Sequence, residues 1–191
     1  MILYYVPGGC SLASHIALVE AGLDHRLVDV KQMGRQELLA INPTGLTPAL
    51  ALDDGTLLTE SLAILGYVAE QRGTLLPEAG LPRWRALEAT SFMTTEIHGS
   101  FRAFFYPDAT QAEKDRARGK LEGRFATLAE QLGDGTFLVG DRMSVADLYL
   151  FVMLRWAAMF GIAVPARLQA FLGRMAQVPS VVRALAAEGL S

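Results

Sequence analysis

Ile2-Leu3-Tyr4-Tyr5-Val6-Pro7-Gly8-Gly9-Cys10-Ser11-Leu12 is the stretch whose reading decides the fold. The run Ile2 to Val6 is rich in strand-forming residues, and Pro7-Gly8-Gly9 stops it in a turn. From Ser11 the apolar positions Leu12, Ile16, Val19 and Leu23 recur at helical spacing, with Gly22 where a helix end would be capped. Strand, tight turn and helix open an α/β unit. They also put the only cysteine of the chain, Cys10, at the mouth of the helix.

Working outward, His25 to Val30 reads as a second strand and Lys31 to Glu37 as a short polar stretch. Ile41-Asn42-Pro43-Thr44-Gly45 is a loop by its turn residues. Thr47 to Leu52 predicts a third strand, entered through Pro48. Asp53-Asp54-Gly55 is a hairpin turn and Thr56-Leu57-Leu58 its return strand. Glu60 to Arg72 carries the helical stripe Leu62, Leu65 and Val68. The order is β-α-β, loop, β-β-α, assigned to a domain spanning residues 1–76. Pro77, Gly80 and Pro82 mark a linker. Residues 83–191 then predict an all-α domain. Its helices cover roughly Arg83 to Tyr106, Thr110 to Leu132, Val145 to Phe160 and Ala166 to Ala176, with a last one from Ser180. Only Phe137-Leu138-Val139 has any strand character in this half.

Composition narrows the function. The 191 residues are 51% hydrophobic and 19% charged, enough for a packed core. Seventeen basic against twenty acidic side chains give a net charge of −3, so no basic field draws nucleic acid or anionic lipid. One cysteine excludes an intrachain disulfide and, beside three histidines, any Cys-rich zinc site; no metal is expected. No Lys or Arg precedes Arg26, so the basic start of a signal peptide is missing. Val145 to Val164 is mostly apolar but holds Asp147 and Arg155. Each would cost about 2.5–3.5 kcal/mol at mid-membrane, which favours a buried core helix. The expected location is the cytoplasm. P-loop, dinucleotide, zinc-protease and α/β-hydrolase motifs are all absent.

Three places carry chemistry. At Cys10 the helix dipole and backbone N–H groups favour a thiolate, so a depressed pKa and fast reaction with thiol reagents are expected. The competing reading is a small buried hydrophobe. Ala13 stands where a second cysteine of a redox pair would be, so redox chemistry would need an external thiol. Thr47-Pro48, a proline opening a strand after a glycine loop, fits the thioredoxin-like arrangement. There a cis proline leaves the preceding residue's N–H and C=O facing a peptide-like ligand. Thr59-Glu60-Ser61 meets the next helix and reads as caps, as a carboxylate site built from helix-start amides and the Ser61 hydroxyl, or as both at once. Ser144-Val145-Ala146-Asp147 is a capping box, assigned to folding.

YYVPGGCSLASHIAL, INPTGLTPAL, LTESLAIL and SVADLYLF, in this order, resemble the glutathione transferases of the bacterial, cysteine-containing beta type. The resemblance implies a thioredoxin-like N-terminal domain, an α-helical C-terminal domain, glutathione as co-substrate and a homodimer. It makes Cys10 the glutathione-facing cysteine, places Thr47 before the cis Pro48, and gives Glu60 and Ser61 the γ-glutamyl end. It assigns His98 to the histidine that reaches toward the active cysteine, and Trp156 to a tryptophan near the acceptor pocket. Ser91, Thr95 and Glu96 fall where the family meets the partner subunit's glutathione. An apolar electrophile would rest against Phe105, Tyr106 and Trp156. His98 also reads as a core histidine, seven residues before Phe105 on one helix face, and Trp156 as core packing. Two departures stand out. The basic residue expected after the second strand has only Lys31 and Arg35 as candidates, and Leu46 replaces a frequently polar residue. The implied function is conjugation of glutathione to electrophiles, or thiol-disulfide chemistry through Cys10. The alternative is a non-catalytic module that binds a protein partner or an apolar ligand. The long helix supports a homodimer, since Phe92, Met93, Ile97, Phe101, Phe104 and Phe105 exceed one narrow core stripe.

Overall fold

The structure, a computed structural model, describes residues 1–190. Strand β1 (Ile2–Tyr5) leads through the Pro-Gly-Gly turn into helix α1 (Ser11–Glu20), and β2 (Arg26–Asp29) follows. A 3-10 turn (Val30–Gln32) and helix α2 (Arg35–Ile41) precede the hairpin β3 (Ala49–Ala51) and β4 (Leu57–Thr59). Helix α3 (Ser61–Arg72) closes this part. The four strands lie in the order β2-β1-β3-β4, with β1 and β2 parallel and the other pairs antiparallel. A parallel pair needs a crossover, which α1 supplies. Leu3 pairs with Leu27 on one side and Leu50 on the other, and Leu50 with Leu58, so one apolar row crosses the sheet. This is the thioredoxin-like unit that the strand order predicts. Gly22 sits at φ +61 after α1, and Leu23 N–H closes the helix end on Leu18 C=O. Only glycine takes that left-handed turn at little cost.

The helical half comprises α4 (Gly80–Phe92), a π-turn (Met93–Ile97), α5 (His98–Phe105), α6 (Gln111–Leu132), α7 (Val145–Met159), α8 (Ala166–Met175) and α9 (Pro179–Ala187). Two compact units emerge, and they differ from a simple division by sequence. Pro77 to Gln177 forms the helical unit, whereas the segment from Val178 joins Met1–Leu76 because α9 packs on α1. Helices α3 and α9 together cover α1, so Ser11 to Leu18 is buried on every face rather than along one stripe. The helix expected over Arg83 to Tyr106 is interrupted by its π-turn, and α2 was not expected at all. Only Leu38 of α2 is buried, which leaves no periodicity to read.

Within the helical unit, Met93, Ile97 and Phe101 pack with Leu121, Phe125 and Leu128 of α6 and with α7, all fully buried. Helix α7 is buried along nearly its whole length, as expected of a core helix. Among the described residues no helix is long and apolar enough to cross a membrane. The expected capping box is present. Asp147 accepts from Ser144 N–H and Oγ at 2.8 Å each, and from Leu138 N–H at 2.8 Å. Leu138 thus spends its N–H on a side chain, and Phe137 to Val139 forms no strand. Asp147→Ala would strand two buried N–H groups at about 1–3 kcal/mol each. We expect Tm to fall by roughly 5 °C or more in thermal melts.

Candidate functional site

In the first unit the turn after β1 is clamped from both sides by Ser11. Its Oγ accepts from Val6 N–H at 3.1 Å and donates to Val6 C=O at 3.2 Å. A Cβ on Gly9 would stand 3.0 Å from that carbonyl oxygen, a tight contact that favours glycine. Gly8 N–H donates at 2.9 Å to Glu188, whose other carboxyl oxygen lies 2.9 Å from His15 Nδ1. The last helix segment therefore holds the loop that delivers Cys10. Sequence reading missed Glu188, because no local pattern links position 188 to position 8.

Cys10 is the N-cap residue of α1 and is 9% exposed. Its thiol donates to Thr47 C=O at 3.4 Å. The Thr47-Pro48 peptide is cis, as its place in the fold predicts. Asn42, itself buried, shapes the loop before it. Its amide donates to Leu46 C=O at 2.9 Å, and its oxygen accepts from Thr44 N–H and Oγ1. Glu60 caps α3 with φ +69 and no side-chain capping bond, so the capping reading of Thr59 and Ser61 is not realised. The first-turn amides of α3 precede its first intrahelical bond, Ile64 N–H to Glu60 C=O. A non-glycine residue in the left-handed region is strained by about 1–3 kcal/mol, a cost that clusters at ligand clamps. Lys31 and Arg35 are exposed, and Leu46 is 63% exposed.

The electrostatics correct one expectation. Burial pushes the Cys10 thiol up to about 11, rather than the helix mouth pulling it down. The Ser61 hydroxyl and the Cys10 and Ser11 amides act in the opposite direction but are outweighed, and the nearby Glu60 carboxylate adds to the rise. Cys10 in the ligand-free chain is a neutral hydrogen-bond donor.

The helical unit holds a second set of residues. His98 begins α5 directly after the π-turn, with Nδ1 at 2.7 Å from the Tyr149 hydroxyl. Its ring meets Trp156 edge-on at 5.1 Å, and Phe105 meets the same indole at 4.7 Å. The seven-residue spacing of His98 and Phe105 is thus expressed as a shared contact. Burial lowers the His98 pKa, so the imidazole is neutral at neutral pH. Trp156 is 4% exposed, while Phe105 and Tyr106 are 46% and 54% exposed. Glu96 turns to α6, where Lys120 and Arg124 lie at 3.2 and 3.1 Å and hold its carboxyl below the usual range. Thr95 Oγ1 donates to Ser91 C=O. Tyr149 is the residue missed here, since an apolar-rich helix reads as core whatever its tyrosine does.

Comparisons with known proteins identify the family. Residues 9–71 match the glutathione S-transferase N-terminal domain model, and residues 92–179 match the C-terminal domain model. The chain is 42% identical to glutathione S-transferase GstA of Escherichia coli O157:H7, and the match covers 100% of both. Its fold is similar to BphK, a bacterial GST solved as a ternary complex, at TM-score 0.93 and 43% identity over 100% of both chains. A sphingomonad glutathione S-transferase solved with glutathione gives TM-score 0.91 and 42% identity, also over 100% of both. The chain belongs to the glutathione S-transferase family. Its structural relatives include the beta-class enzyme of Sphingomonas chungbukensis, at TM-score 0.91, 40% identity and 100% of both chains.

The thiol shift gives a signed pH prediction. The folded chain holds the Cys10 proton more tightly than the unfolded chain, whose thiol titrates near 8.5. The resulting stability is complete below about pH 8.5 and is lost as pH rises through about 11. Denaturant unfolding should show wild-type stability falling relative to Cys10→Ala over that window. Alkylation of the ligand-free protein should be slow at neutral pH. A rate midpoint at or below the free-thiol value would contradict the burial account.

Proposed function

We propose that this chain binds glutathione through its first unit and transfers the thiol to apolar electrophiles. The observation that carries the reading is the convergence of Cys10, the Thr47 main chain and Ser61 in a chain similar to a transferase solved with glutathione. Glutathione offers an extended amide unit, two carboxylates, an ammonium and a thiol. In this reading the Thr47 N–H and C=O pair with its cysteinyl amide as an added strand would. The amides at the start of α3 and the Ser61 hydroxyl take the γ-glutamyl carboxylate, and Glu60 takes the ammonium. The glutathione sulfur then lies by Cys10.

A neutral Cys10 favours conjugation over a route in which Cys10 itself attacks, because the thiolate is the nucleophile. Cys10 S–H turns from Thr47 C=O to the glutathione sulfur and stabilises it as a thiolate, whose proton is released to solvent. The thiolate forms the new C–S bond as the electrophile's leaving group departs with its electron pair. His98 is the second residue assigned to catalysis in this reading, as a hydrogen-bond donor or a proton exchanger. The exposed faces of Phe105 and Tyr106, with Trp156 behind Phe105, suit an apolar acceptor. We also propose a cytoplasmic homodimer in which Ser91, Thr95 and Glu96 approach the partner's glutathione. Leu81 and Trp84, each 65% exposed on α4, support self-association. Light scattering at micromolar concentration should give the dimer mass, and a monomer would count against it.

Calorimetric titration with glutathione and turnover of a chlorinated aromatic acceptor test the activity. The wild type should bind and turn over, and Cys10→Ala should keep much of its affinity. Glu60→Gly should melt higher, because glycine relieves the positive φ, yet bind glutathione roughly tenfold more weakly for want of a charged partner. Binding without turnover would favour the non-catalytic module. Turnover confined to disulfide substrates, abolished in Cys10→Ala, would favour thiol-disulfide exchange.

A further inference from the structure

Helix α7 presents Tyr149 and Trp156, two turns apart on one face, to the imidazole of His98. Tyr149 is fully buried, and its hydroxyl lies 2.7 Å from Nδ1. The indole meets the ring at 5.1 Å with an interplanar angle of 75°. We propose that Tyr149 is a positioning residue: its hydroxyl donates to His98 Nδ1 and so fixes the imidazole in the Nε2–H form, a hydrogen-bond donor. The proposal rests on the reading of His98 given above and chooses between its two options.

Three points carry the assignment. Of the two candidate donors, a phenol O–H is more acidic than the N–H of a neutral imidazole, so O–H···N is the favoured arrangement. The 2.7 Å separation matches hydroxyl donors, whose mode is about 2.7–2.8 Å, better than ring N–H donors at about 2.9–3.0 Å. Burial keeps the ring neutral, and a neutral imidazole whose Nδ1 accepts must carry its proton on Nε2. Trp156 packs against the ring and opposes the flip that would swap Nδ1 for a ring carbon. An Nε2 that already bears a proton cannot take one from a thiol. His98 therefore acts by donation, in the same sense as the Cys10 thiol.

Long-range proton–nitrogen NMR on 15N-labelled protein reads the tautomer directly. With three histidines in the chain, His98→Gln assigns the signal. The wild type should show the Nε2–H form at neutral pH. Tyr149→Phe, which removes only a hydroxyl, should show mixed tautomers. Its kcat for the chlorinated acceptor should fall about tenfold, short of the roughly hundredfold cost of deleting a transition-state donor, with KM for glutathione little changed. An Nδ1–H form in the wild type overturns the proposal without recourse to any variant. So does a folded Tyr149→Phe protein with unaltered tautomer and kcat. Unchanged turnover in His98→Gln would instead overturn the part given to His98, an outcome the tautomer measurement keeps separate.

Discussion

Enclosure of α1 is the constraint on which the rest depends. A crossover helix in a small sheet normally shows one face to solvent, but here Ser11 to Leu18 is buried on all faces because α9 covers what α3 leaves. His15, buried inside this helix, finds the Glu188 carboxyl. The same carboxyl reaches Gly8 and so holds the turn ahead of the helix. Packing, not local preference, thereby sets where the Cys10 sulfur stands. It also decides the sulfur's chemistry. The helix mouth favours a thiolate by up to a kcal/mol or so, and enclosure in low dielectric outweighs it.

Cys10 and His98, the two side chains proposed for catalysis, are both neutral in the ligand-free state. Cys10 is held above the ordinary thiol value and His98 below the ordinary imidazole value, both by desolvation. Opposite shifts from one cause yield the same outcome, a donor without charge. An uncharged donor of this kind suits an anion that arrives with a ligand. Glu96 shows the contrary arrangement at the surface, where Lys120 and Arg124 keep a carboxylate ionised.

What could be read from the sequence was what neighbouring residues decide. Strand β1, the glycine turn, α1, the hairpin at Gly55, the strand entered by Pro48 and the Asp147 capping box all announce themselves within about ten residues. Family motifs then brought Cys10, Thr47, Glu60 and Ser61 into one site, and the structure brings the Cys10 thiol to Thr47 and Ser61. What escaped was decided at long range or by small differences. Helix α2 buries one leucine and leaves no stripe. The π-turn adds a residue without altering the apolar pattern. Glu188 and Tyr149 act on residues 180 and 51 positions away. The Cys10 pKa lies above the expected value; a dipole is visible in a sequence, whereas depth of burial is not.

The return of α9 to the first unit bears on how the protein is made. A ribosome releases the chain from its N-terminus, so β1 to α3 emerge long before Glu188. Until the final helix appears, His15 has no carboxyl beside it, Gly8 lacks its tether, and one face of α1 lies open to water. The helical unit, contiguous from Pro77 to Gln177, meets no such delay and is complete first. Segments made earliest are therefore finished last, and the nascent chain carries an uncovered α1 through most of its synthesis.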